Sequence, residues 1–340
     1  MLNRITPAVL ALLAASLTTP AAQASEVNLY SARQEALIKP LLDTFTDQTG
    51  IKVNLVSAKA DALLQRLKSE GRNTPADVLL TVDAGNLAAA SDAGLLQGLR
   101  SDVVKKAVPA HYRDAQGLWT GLSLRARPIF YARDRVQPAQ LSSYAALTGP
   151  QWKGKICVRS SDNIYNQSMV AAMIASQGEP RTEAWVKGFV ANLARPPKGG
   201  DRDQIKAVAA GQCDVAIANT YYYAEMLKSG DEAERAAASK VAVFWPDQQG
   251  RGVHVNISGA GIVTNARNVA NARKLIEFLV SKEAQAWYAE NNQEYPVRDD
   301  VPVSATLKAL GTFKADRTAM SKLGSNNARA VKLMDRAGWR

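Results

Sequence analysis

Only two histidines occur in the 340 residues, His111 and His254, and neither has a partner at H-E-x-x-H spacing. No G-x-S-x-G elbow and no P-loop is present. Gly199-Gly200 before Asp201 reads as a turn and helix start, not as a dinucleotide fingerprint. Nothing therefore argues for an enzyme. Aromatic residues make up only 6% of the chain. Lysine and arginine (42) exceed aspartate and glutamate (31), a formal charge of +11, yet the basic residues form no single run. Few aromatics and no basic cluster speak against nucleic acid. There is no short repeat and no low-complexity tract. After residue 24 no apolar run is long enough for a membrane helix, so the chain is not expected to be an integral membrane protein.

What is present begins with an export signal. Arg4, the apolar run Val9–Ala15 and the small-x-small end Ala22-Gln23-Ala24 predict a cleaved secretory segment over residues 1–24. No cysteine follows the cleavage point to carry a lipid. A bacterial periplasm is the natural compartment. Cys157 and Cys213, the only cysteines, lie in strand-like runs, and in an oxidising compartment they are candidates for a disulfide. Two buried free thiols are the alternative. The positive charge suits an anion-accompanied ligand or an acidic partner.

The mature length suggests two lobes. Val27–Tyr30, Ile51–Val56 and Ala76–Leu80 read as strands, separated by helices over Glu35–Gln48 and Asp61–Glu70. A second α/β set includes Ile156–Val158, helix Asn166–Ser176, helix Arg202–Ala210, strand Asp214–Ala218 and helix Tyr222–Ser229. Gly121–Tyr131 and Val253–Val263 are extended and can cross between lobes. The expected fold is α/β and two-lobed, each lobe a mostly parallel sheet flanked by helices, with the cleft between them. Residues 25–124 plus 257–300 form the first lobe, 125–256 the second, and 301–340 supply C-terminal helices. That arrangement resembles a periplasmic solute-binding protein.

Four stretches can carry a ligand. Tyr221-Tyr222-Tyr223 stands where a strand meets a helix, and Tyr165 occupies a similar place after Ile156–Val158. Tyrosines there can be core and rim, or hard oxygen donors to a highly charged metal. Tyr30–Glu35 can hold an anion at a helix start or be an ordinary turn. Arg125 and Arg127 can clamp an anion or be surface charge.

In five stretches the chain resembles the periplasmic ferric-ion-binding proteins of bacterial ABC iron importers: Leu29–Gln34, Arg125–Arg127, Cys157–Gln167, Asp201–Ile205 and Ala218–Tyr222. The resemblance implies Fe³⁺ held by Tyr165, Tyr221 and Tyr222. It also implies a synergistic carbonate or bicarbonate held by Gln34 and Arg125, and delivery to an inner-membrane permease by a monomer. Some members use a His-Tyr pair where this chain has Gln34-Glu35. That departure favours the tyrosine-plus-anion version and leaves Glu35 a doubtful extra ligand. Tyr30, Asn163 and Asn219 are expected behind the ligands, and Tyr223 in the core. Fe³⁺ with three phenolates sums to zero charge. The alternative is an organic-solute binder of the same fold, for a phosphonate or a polyamine.

Overall fold

Alternating and fully apolar runs become ten strands among the described residues, 25–340, of a computed structural model. The expected signal, residues 1–24, lies outside them. The strands are β1 (Glu26–Ser31), β2 (Lys52–Ser57), β3 (Val78–Thr81), β4 (Leu96–Gln97), β5 (Thr120–Ala126), β6 (Ile129–Ala132), β7 (Ile156–Cys157), β8 (Val215–Ile217), β9 (Val241–Phe244) and β10 (Val255–Val263). The first sheet has the order β2-β1-β3-β10-β4, with β5 also paired to β10. The second has the order β7-β8-β6-β9.

Strand–helix alternation predicts parallel pairing, and β1 does run parallel to β2 and β3, and β7 to β8. Strands that enter from the other lobe point the opposite way. β10 is antiparallel to β3, β4 and β5, and β6 is antiparallel to β8 and β9. Each sheet is therefore mixed, parallel where βα units build it and antiparallel where the chain crosses. The first crossing is short, from Ala126 through Arg127-Pro128 to Ile129; the return runs from Phe244 to Val255. The boundaries expected near 125 and 256 fall inside β5 and β10.

Helix Lys39–Thr49 buries Leu41, Leu42 and Phe45 on one face and ends at Gly50, whose φ of 69° suits glycine. Helix Ala84–Asp92 differs: Ala84 to Ala88 and Ala90 are all buried. Such broad burial requires several neighbours. They include β10 and two helices, Ile164–Gln177 of the second lobe and Ser321–Ser325 near the C-terminus. The C-terminal stretch thus packs against both lobes. Helix Asn327–Arg336 lies on the second lobe, and Trp339 is fully buried there with its indole N–H on the Arg159 carbonyl at 3.0 Å. Cys157 and Cys213 form a disulfide that ties the end of β7 to the approach to β8. Among the described residues no helix is long and apolar enough to cross a membrane.

Candidate metal centre

Two helix starts bring the tyrosines together. Asn163 caps helix Ile164–Gln177, its side chain accepting from the Tyr165 N–H at 3.1 Å. Asn219 precedes helix Thr220–Lys228. Both helices begin earlier than the periodicity predicts, so Tyr165, Tyr221 and Tyr222 all stand in first turns. Helix N-termini carry unpaired N–H groups and partial positive charge, which favour an anion such as a phenolate.

The Tyr221 hydroxyl donates to that of Tyr165 at 3.3 Å, and the rings of Tyr221 and Tyr222 are 4.1 Å apart. Burial pushes the Tyr221 phenol well above its usual range, and the neighbouring Tyr165 and Tyr222 add to the shift. Burial and Tyr165 likewise raise Tyr222. Tyr221 and Tyr222 therefore stay protonated until a cation displaces their protons. Among the described residues no group of three or more His, Cys, Asp or Glu side chains is placed to hold a metal. The tyrosines are the oxygen donors that converge.

They line a cavity of about 780 Å³ together with Gln34, Arg33, Arg125, Arg202, Glu225 and Glu294. Arg125 comes from the first lobe, with its guanidinium carbon 6.0 Å from the centre of the Tyr165 ring. It is held by the Val82 carbonyl and the Ser258 hydroxyl. Ser258 also accepts from Arg33 at 2.5 Å, and Arg33 pairs with Glu294 at 2.8 Å. Burial opposes ionisation of Glu294, but Arg33 and Arg125 outweigh it and hold the carboxyl below its usual range. Two guanidiniums and one carboxylate leave one net positive charge facing the tyrosines. The Nε of Arg33 and of Arg125 are buried without a partner.

Several residues stand elsewhere than expected. Arg127 does not share the anion side with Arg125, because the chain leaves β5 at Ala126. Its side chain turns into the second lobe and donates to Asp201 at 2.8 Å, Asn219 at 2.9 Å and Asn166 at 2.6 Å. Asn219 is thereby fixed beneath the tyrosines, its N–H on Asp201 at 2.7 Å. Tyr30, expected behind the ligands, points away: its hydroxyl donates to Glu70 at 2.8 Å, and burial with Glu70 pushes it up to about 12. Glu35 lines a separate shallow recess with Lys39 and Asp43. Asn163 faces an adjoining cavity of about 880 Å³. Tyr223 is buried in the core, on the carbonyls of Ala238 and Val241. Sequence reasoning passed over Glu294, Glu225 and Arg202, and left Arg33 unassigned within a stretch it had singled out. Arg202 and Glu225 form a close ion pair at the cavity wall.

A family model for bacterial extracellular solute-binding proteins matches residues 41–315. The chain is 49% identical to iron uptake protein A1 of Synechocystis sp., over 95% of this chain and 89% of the relative. It is 30% identical to the Fe(3+)-binding periplasmic protein of Serratia marcescens, over 91% and 89%. Among solved structures, the Trichodesmium protein IdiA (FutA) in complex with iron and citrate superposes with a TM-score of 0.90 at 51% identity, covering 93% of this chain and all of that one. The chain belongs to the bacterial extracellular solute-binding proteins, in the group that contains the periplasmic ferric-ion-binding proteins.

Proposed function

We propose that this protein captures Fe³⁺ in the periplasm and delivers it to an inner-membrane ABC permease. The ion is cargo, bound by the phenolates of Tyr165, Tyr221 and Tyr222. A carbonate or bicarbonate completes the shell against Arg125 and Gln34. One observation carries this reading: three phenols converge at two helix N-termini, with the Tyr165 and Tyr221 oxygens 3.3 Å apart. The names of its relatives, iron uptake and Fe(3+)-binding proteins, support it.

The charge arithmetic is consistent. Fe³⁺ and three phenolates sum to zero. An anion adds negative charge, and the single net charge of Arg33, Arg125 and Glu294 offsets part of it. Binding expels phenol protons, so acid works against retention. Reduction to Fe²⁺ removes one positive charge and leaves the phenolates under-compensated. Protonation, loss of the anion and reduction are therefore three routes to release. The protein acts as a monomer, and no catalytic role is assigned.

The test is a visible absorption titration of the mature protein with a ferric chelate, with and without bicarbonate. A phenolate-to-iron charge-transfer band that saturates at one iron per chain is expected, and it should strengthen with bicarbonate. No band at any iron level sinks the proposal and turns the search to organic anions such as phosphonates.

A further inference from the structure

Away from the tyrosines the lobes meet at a buried polar contact. Asp83 and Ser168 are both fully buried. The Ser168 hydroxyl donates to Asp83 Oδ1 at 2.8 Å. Asp83 belongs to the first lobe, where the same oxygen accepts the Gly85 N–H at 2.7 Å and caps helix Ala84–Asp92. Ser168 belongs to the second lobe.

Each partner is tied to one side of the metal centre. Ser168 follows Tyr165 by one turn of the same helix, on the same face. Asp83 Oδ2 accepts from Asn256 at 2.7 Å, and Asn256 pairs with Arg125 across β10 and β5. The preceding carbonyl, that of Val82, holds the Arg125 guanidinium. Two glycines beside the contact have no room for a side chain. A Cβ on Gly85 would lie 3.0 Å from Asp83 Oδ1, and one on Gly324 would lie 2.1 Å from the Ala88 Cβ. Gly324 is carried by the C-terminal helix that touches both lobes.

We propose that Asp83 and Ser168 are a positioning pair, which sets how closely Tyr165 of one lobe stands against Arg125 of the other and so how firmly iron is retained. The inference rests on the iron reading above. Physically, a buried carboxylate that loses a hydroxyl donor is left with one hydrogen bond fewer to offset its desolvation. The lobes then lose the contact that registers one side of the cleft on the other.

The test uses the full mature chain. Ser168→Ala removes the hydrogen bond and leaves every proposed ligand in place. Gly324→Ala forces helix Ser321–Ser325 off Ala88. Iron release to EDTA should become roughly tenfold faster in Ser168→Ala, the loss of about one charge-assisted hydrogen bond, with the charge-transfer maximum unmoved. Gly324→Ala should release iron faster and change the iron-free radius of gyration in small-angle scattering. Both variants releasing iron at the wild-type rate overturns the proposal, including when their melting temperatures fall, since the contact is then structural only. A wild type without the band sinks the iron reading instead. The iron-free scattering of Ser168→Ala still decides in that case, because an unchanged radius overturns the positioning role.

Discussion

The two walls of the cleft are built to different degrees. The first lobe offers a finished electrostatic structure: Arg33, Arg125 and Glu294 are buried, paired and bridged by Ser258. The second offers Tyr165 beside Tyr221 and Tyr222, two phenols whose ionisation is opposed by burial and by their neighbours. One wall carries net positive charge without a ligand. The other is uncharged while its phenols hold their protons. Under the proposed function the first wall would meet the anion and the second the metal.

The comparison breaks most completely at the tyrosines. Tyr221→Phe should abolish the charge-transfer band and cost more in iron affinity than the roughly 10–100-fold typical of removing an outer partner. The same change at Tyr165 should behave alike, with the fold intact by circular dichroism.

Acid should act on the same wall. Tyr221 and Tyr222 are raised above their usual range, so protons compete with iron, and affinity falls as pH falls. If all three phenols release protons, the slope approaches about a thousandfold per pH unit. Competition with a chelator at stepped pH measures it, and a flat profile would mean that phenolates are not the ligands.

Glu294→Gln sharpens the contrast from the other side. It leaves two buried guanidiniums without their counter-charge, a change that costs about 3–5 kcal/mol in comparable buried pairs. Denaturant unfolding reads that loss. The wall also becomes more positive, so half-maximal iron binding should need less bicarbonate than in the wild type.

Tyr30→Phe is the smallest change and serves as the control. The hydroxyl bonds Glu70 and stands outside the cavity, so stability should fall by about 1 kcal/mol. Iron binding should not move, and a weakened band would mean that Tyr30 reaches the site in the loaded protein.

Much of this could be read along the chain because it is local. Tyr165 and Tyr221-Tyr222 could be placed at strand-to-helix junctions from the strand-like and helix-like segments on either side of them. Their exact turn could not, since helix starts depend on capping contacts that periodicity does not register. The α/β class followed from the alternation of strands and helices. The antiparallel course of β10 and β6 did not, because pairing direction is decided by where the chain re-enters each lobe.

The sequence by itself offered the candidate oxygen donors and the export-signal reading of residues 1–24, since both readings depend on side-chain chemistry and short spacings. Only the tertiary structure decided that Arg127 serves Asp201 and Asn219 while Arg125 faces the tyrosines. It alone brought Glu294 to Arg33 across 261 residues of chain, and Asp83 to Ser168 across 85. Buried charges must find partners, and no local pattern says which distant segment will supply them.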